Sequence, residues 1–283
     1  MNEGFEAHRE RLRAVAYRML GSHSDAEDVV QEAWLRLARV DAGRIDNLGA
    51  WLTTVVSRLC LDTLRARENR REEPAGHDLP VAAHGGEPAE EAVLADSAGR
   101  ALLVVLDRLS PAERVAFVLH DLFAVPFEEV APVVGRTTAT TKKLASRARQ
   151  KVRGRPAAPG ADLDRQRRVV AAFLAAVRAG DVEAVLRVLD PDVVRSADGR
   201  ALAPGRPAEV RGASRVAEEI AVFGRSARWA DLALVDGAVG IVIAPRGRLR
   251  LVLTFTIGGE RITGYRLIAD PGRLAQLELA LAG

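Results

Sequence analysis

One cysteine, Cys60, stands in a chain of 283 residues, which excludes an internal disulfide and fits a reducing compartment. Aromatic residues make up only 4%, and the five histidines are scattered. No Cys/His cluster at metal-ligand spacing exists, so neither a metal nor a cofactor is expected. No apolar run approaches the roughly twenty residues that a membrane span needs. The opening MNEGFEAHRERLRA is polar and charged from its first residues, unlike a secretory signal. These absences point to a cytoplasmic protein without a membrane partner. The length is that of about two domains, each able to bury its own core.

What is abundant is charge, and it is unevenly spread. Residues 136–155 hold eight Lys or Arg and no acid, whereas residues 74–135 hold three basic and ten acidic residues, inside a chain of net charge +3. A concentrated basic helix beside acidic surface suggests one polyanionic and one basic partner. The stretch before the basic segment is patterned as helices. Ser110 and Glu113 form a capping box with Pro111 at the first helical position, and Val115, Val118, Leu119 and Leu122 recur at helical spacing. A break at Ala124–Pro126, a short apolar helix over Phe127–Val134 and Gly135 then lead into the basic helix. That is the plan of a helix-turn-helix, whose second helix enters the DNA major groove. Pro132 inside the short helix predicts a bent or late-starting helix.

The first 73 residues read as three helices. Phe5, Leu12, Val15, Ala16 and Met19 share a face of the first, which ends at Gly21. A capping box from Ser24 to Glu27 opens the second, whose apolar stripe is Val29, Val30, Ala33, Trp34 and Leu37. Its first turns carry Asp25, Glu27, Asp28 and Glu32, a placement that the helix dipole favours by itself. The third helix turns Leu48, Trp51, Leu52, Val55, Val56, Leu59 and Leu64 inward. It offers Thr53, Thr54, Ser57 and Arg58 outward, hydroxyls and a guanidinium suited to phosphates and base edges.

DAEDVVQEAWLRL, then GAWLTTVVSRLCLDTLRAR, then LSPAERVAFVLHDLF and GRTTATTKKLASRARQKVR, in this order, resemble a bacterial extracytoplasmic-function (ECF) sigma factor over residues 1–155. The resemblance implies an all-α region 2 at 1–73, a linker at 74–91 and an all-α helix-turn-helix region 4 at 92–155. It implies a subunit that joins core RNA polymerase and directs it to promoter DNA. Asp25, Asp28, Gln31 and Glu32 would dock on the polymerase. Asn47, Thr53, Thr54, Ser57 and Arg58 would meet the melted minus-ten strand. Lys142, Lys143 and Arg147 would face bases of the minus-35 element, with Arg136 and Arg149 on phosphates. The linker, rich in Pro, Gly and acid, reads as an extended strap. It carries Asp78, Leu79 and Pro80 where related linkers have a Trp-Leu-Pro motif, which puts linker docking in doubt.

Pro156–Gly160 reads as a hinge, and residues 161–283 as an α+β module. Two helices come first, then strands RWADLALVD, AVGIVIAP, RLRLVLTFTI and ERITGYRLIAD. Hairpin signals sit at Asp236-Gly237 and Gly258-Gly259, and a closing helix is expected over Pro271–Leu281. The AGDVEAVLRVLDPDV opening resembles the polyketide-cyclase and ketosteroid-isomerase (SnoaL-like) cone. That implies a curved antiparallel sheet, regulation of the sigma factor in cis, and a pocket able to hold a small-molecule ligand. Asp192, Asp198 and Asp231 are the carboxylates that a fused isomerase or cyclase would use, but none has a His or Tyr partner at a telling spacing, so no enzyme is expected. Two other readings stay open: a small-molecule isomerase, cyclase or hydrolase fused to a DNA reader, and a DNA-binding regulator without polymerase contact. Asp198-Gly199 and Asp270-Pro271 keep half of two signatures of the cone-bearing sigma subgroup. Region 4's basic helix is expected to be partly covered in the free chain, since the acidic linker and the cone are tethered nearby.

Overall fold

The computed structural model describes residues 2–40, 45–71, 97–203 and 205–282, so the expected linker, with Asp78, Leu79 and Pro80, lies outside the described residues. In chain order the helices are α1 (Asn2–Leu20), α2 (His23–Leu37), α3 (Leu48–Arg71), α4 (Ser97–Leu106), α5 (Pro111–Phe117), α6 (Phe127–Val134) and α7 (Thr138–Arg153). Then follow α8 (Gly160–Ala179), α9 (Val182–Val188), β1 (Leu189–Ala197), β2 (Glu209–Arg211), α10 (Ala213–Phe223), β3 (Ala230–Val235), β4 (Ala238–Ile243), β5 (Leu251–Gly258), β6 (Arg261–Ile268), α11 (Pro271–Gln276) and β7 (Leu279–Leu281). The chain divides into two compact units, residues 1–77 with 106–151 and residues 78–105 with 152–283. The first thus joins both expected helical modules, while α4 groups almost entirely with the second.

The first unit is all helical. Its N-terminal bundle buries Leu12, Val15, Met19, Val30, Leu37, Leu52 and Val56, with Phe5 and Trp34 in ring contact at 5.0 Å. Capping sets the helix-turn-helix. Ser110 accepts from the Glu113 N–H while Glu113 accepts from the Ser110 N–H, so two end donors are satisfied reciprocally. Beyond α5 the chain widens into a π turn, Val118–Leu122, and leaves it at Ala124 with φ 55°. His120 stacks on Phe127 at 3.6 Å across this corner. Helix α6 runs through Pro132 without interruption. It starts only five residues earlier, and the ring leaves unserved the carbonyl of Glu128, an exposed residue that water can reach. Gly135, at φ 68°, ends α6 in the left-handed region that a side chain disfavours.

The second unit is α+β. Its sheet runs β2-β1-β6-β5-β4-β3-β7. Five pairings are antiparallel, but β1 lies parallel to β6, so the sheet is mixed where the sequence suggested an antiparallel one. Register shifts between Leu189 and Val194 and between Thr256 and Ile257 bend the strands that carry them. The inner face packs on α8, with Phe173 meeting Phe255 at 5.5 Å and Tyr265 at 5.8 Å. Asp236 and Gly237 both take positive φ and close the expected β3–β4 hairpin. The closing helix stops at Gln276. Asp236 and Glu278 then exchange hydrogen bonds, and Leu279–Leu281 pair with β3 as an edge strand. The expected hinge is also occupied, for Ala157 N–H donates to the Gly237 carbonyl.

Asp198 stitches two loops of this unit. One carboxylate oxygen accepts from the Arg200 and Ala201 N–H groups, the other from Ala269 and Asp270, and Asp270 itself caps α11. The two half-kept signatures thus meet in space. Burial would raise this carboxyl, but the four N–H donors outweigh it and hold it below its ordinary value of 3.8. A carboxyl held low by folding adds stability above its ordinary value and loses that stability as the pH falls through the depressed one. Asp198→Asn is therefore expected to cost about 1–2 kcal/mol at neutral pH and to flatten the acid limb of the melting profile. Equal thermal midpoints for both proteins at pH 7 would remove this role. In β4, a Cβ at Gly240 would fall 2.6 Å from the Leu253 carbonyl oxygen and 2.8 Å from Val235 Cγ2. Gly240→Ala should lower stability by about 2 kcal/mol, read as a lower denaturant midpoint.

Candidate nucleic-acid interface

Helix α7 is capped by Thr137, whose hydroxyl accepts from the Thr140 N–H at 3.2 Å. One face buries Thr141, Ala145, Ala148 and Val152. The cations divide into two sets. Arg149 is bound by Asp121, and Lys151 donates to Glu113 at 2.7 Å, so both are engaged by acids of the same unit. Burial would raise Glu113, yet Lys151 and the Ser110 N–H together keep it low and ionised. Lys142, Lys143, Arg147 and Arg153 are exposed and make no ion pair among the described residues, and the same holds for Arg136 at the turn. Lys142 Nζ stands 5.8 Å from the Phe127 ring centre. Arg149, expected on phosphates, is held by Asp121 in the free chain. All three lysines of the chain lie on this one helix.

The surface that is covered belongs to α3. Asn47 is exposed, and its side chain accepts from the Ala50 N–H at 3.0 Å, capping the helix. Thr53 and Thr54 are half-buried and return their hydroxyls to the carbonyls of Gly49 and Ala50. Ser57 is fully buried, its hydroxyl without a hydrogen-bond partner among the described residues. Arg58 is exposed and donates to the Pro132 carbonyl at 3.3 Å, at the C-terminal end of α6, where free carbonyls and the helix dipole favour a cation. Helix α3 packs on both α5 and α6. The five residues nominated for the minus-ten strand therefore share one helix, but not one free surface. Nearby, burial pushes the Cys60 thiol up to about 12, which leaves it unreactive.

On α2, Asp28 and Gln31 are exposed and Glu32 is half-exposed with a 2.9 Å bond from Arg36. Asp25 is tied to Arg67, which also donates to the Leu20 carbonyl and so pins α2 to α3. Leu35, 44% exposed, extends the stripe Asp28, Gln31, Glu32 at the next helical repeat. It went unnoticed in the sequence because an apolar residue between Trp34 and Leu37 reads as core.

The candidate carboxylates of the second unit are accounted for separately. Asp192 is exposed at the start of β1. Asp198 is taken up by its four backbone donors. Asp231 is buried between Arg100 at 2.9 Å and Arg178 at 3.4 Å. Burial raises its carboxyl, and both guanidinium groups oppose that rise. The space between sheet and α8 is filled by Phe173, Phe255 and Tyr265. An open groove lies at the β2 edge beside Arg206, Arg211, Arg215 and Glu218. No group of His, Cys, Asp and Glu among the described residues could hold a metal ion. No helix among them is long and apolar enough to cross a membrane.

Residues 5–70 match the Sigma-70 region 2 family and residues 99–152 the Sigma-70 region 4 family. The ECF RNA polymerase sigma factor SigJ of Mycobacterium tuberculosis is 43% identical over 279 residues, covering 94% of this chain and 84% of that protein. The probable ECF RNA polymerase sigma factor SigI of the same species is 36% identical over 293 residues, covering 100% of this chain and 98% of that one. The crystal structure of M. tuberculosis SigJ aligns at 37% identity over 97% of this chain and 98% of its own, with a TM-score of 0.46. With a capped helix-turn-helix, an exposed basic arc and these relatives along its length, the chain belongs to the extracytoplasmic-function RNA polymerase sigma factors.

Proposed function

We propose that this sigma factor reads the minus-35 element with Lys142, Lys143 and Arg147, docks on core RNA polymerase through the Asp28–Leu35 stripe, and is regulated in cis by its α+β module. The observation that carries the reading is the division of cations on α7. Acids of the same unit engage Arg149 and Lys151, whereas Lys142, Lys143, Arg147 and Arg153 are exposed without an ion pair among the described residues, and the first three lie in the turns nearest the Gly135 turn. Arginine and lysine there can reach guanine O6 and N7, while Arg136 serves a phosphate. On α2, the acids suit a basic protein surface, and Leu35 supplies the apolar anchor such contacts need.

The packing of α3 on α6 adds a condition. With Ser57 buried and Arg58 bonded to Pro132, the minus-ten surface has to part from the helix-turn-helix before it can receive a melted strand. The free chain is then a closed form that polymerase opens, and the cytoplasm is where it works. We assign the α+β module no small-molecule ligand, because Phe173, Phe255 and Tyr265 pack between sheet and α8, Asp198 and Asp231 hold other groups, and Asp192 lies exposed at the surface.

Two measurements test these surfaces. Arg147→Ala and Lys143→Ala should each weaken binding to a cognate minus-35 duplex by about 1–3 kcal/mol and relax base preference. Uniform weakening across all sequences would instead make them phosphate contacts. Asp28→Arg with Leu35→Asp should reduce affinity for core polymerase at least tenfold while leaving duplex binding by the isolated sigma factor unchanged. Unchanged polymerase affinity would favour a DNA-binding regulator that works without polymerase. Cis regulation fails if the full chain and residues 1–155 yield the same run-off transcripts with core polymerase.

A further inference from the structure

The sheet of the second unit has two unlike outer halves. Opposite α8, the register sets Asp231, Val242, Val252 and Ile268 side by side across β3, β4, β5 and β6, with Ala233 and Val235 continuing the strip along β3. All six are buried. Toward β1 the same face carries Ser196, Arg266 and Thr254, with Arg266 exposed. An outward sheet face of a self-sufficient module would be polar throughout. Half of this one is apolar, with a single carboxylate set in it.

The charge that meets this carboxylate comes from α4. Arg100 is 4% exposed, Asp231 is 5% exposed, and Arg100 Nε donates to Asp231 Oδ2 at 2.9 Å. Arg178 reaches the other carboxylate oxygen, but it is one-third exposed and also donates to the carbonyls of Ala227 and Ala230. Arg178 therefore belongs to the module's own scaffold, whereas Arg100 arrives from a helix that the Sigma-70 region 4 match includes from residue 99. Leu103, Val104 and Val105 of α4 are buried as well. The fit is incomplete at one point, since Arg100 Nη1 is buried without a hydrogen-bond partner among the described residues. A buried donor left unpaired weakens the seated state.

We propose that the apolar half-face around Asp231 is a docking surface whose occupant is α4, the opening helix of the minus-35 reader, that Arg100 is the residue it selects, and that the helix is released when the reader engages DNA. The release step, and only that step, rests on the cis-regulatory reading above. A charge seated in an apolar strip is a selective latch, because removing one partner leaves the other buried and uncompensated, while replacing both by apolar groups of similar volume is tolerated.

The test is amide hydrogen exchange of the full-length chain. Asp231→Asn should accelerate exchange of the α4 amides by on the order of a hundredfold, and Arg100→Met by less, because Arg178 still serves the carboxylate. The double variant Arg100→Met/Asp231→Leu should return α4 to near the unmodified rate. Amides of α8, which packs on the opposite face of the sheet, serve as the internal control and should be unchanged in Arg100→Met. Unchanged α4 exchange in both single variants overturns the docking surface, and so does a double variant as fast as Asp231→Asn. Affinity for a random-sequence DNA duplex at low salt, measured on the same proteins, separates the two readings. Faster α4 exchange with tighter DNA binding supports docking and release together. Faster exchange with unaltered binding supports the docking surface and overturns the release step.

Discussion

Ion pairing decides which cations of this chain are available to another molecule. Arginine is abundant, yet in the described residues many guanidinium groups are already committed: Arg67 to Asp25, Arg149 to Asp121, Arg195 to Glu219, and Arg100 and Arg178 to Asp231. Each commitment joins two segments distant in sequence, so the same pairs that stabilise the fold also subtract from its free charge. The more exposed of these pairs contribute little energy, whereas Arg100–Asp231 and Arg195–Glu219 are buried. Their larger effect is selective: on α7 they engage Arg149 and Lys151 and leave Lys142, Lys143 and Arg147 without an ion pair among the described residues.

The two helical modules share one compact unit, and this changes the meaning of α3. As an isolated helix it would turn hydroxyls and an arginine to solvent. Packed on α5 and α6, it hides Ser57 and commits Arg58 to the end of α6. A residue can thus have the chemistry for single-stranded DNA and still be used, in the free protein, as a structural contact. The α+β module shows the complementary case. Its carboxylates have the chemistry of proton transfer, but Asp198 is saturated by backbone N–H groups and Asp231 is held by guanidinium groups.

Most features governed by neighbours in sequence were legible before any coordinates, although α2 is capped by Ser22, which accepts from the Asp25 N–H, and not by the expected Ser24. The Ser110–Glu113 capping box, the left-handed Gly135 and the Asp236-Gly237 hairpin each depend on a few adjacent residues. Features governed by distant pairing were not. Strand β1 contains Pro191 between two aspartates and looks like a loop, but its partner β6 lies some seventy positions on and supplies the pairing. Strand β7 looked like the end of a helix until Asp236 and Glu278 joined. Burial of Ser57, exposure of Leu35 and pairing of Arg149 with Asp121 likewise follow from where other helices come to rest, which local periodicity does not encode.

The confinement of lysine to α7 has a chemical consequence. Every primary amine carried by a side chain of this protein sits at position 142, 143 or 151. Acylating reagents, isothiocyanate dyes and amine-directed crosslinkers, applied to the native chain, address one helix among the side chains and leave its many guanidinium groups untouched. Since acylation also removes the positive charge, a single class of mild reaction can silence one reading surface while leaving the charge of every other side chain as it was.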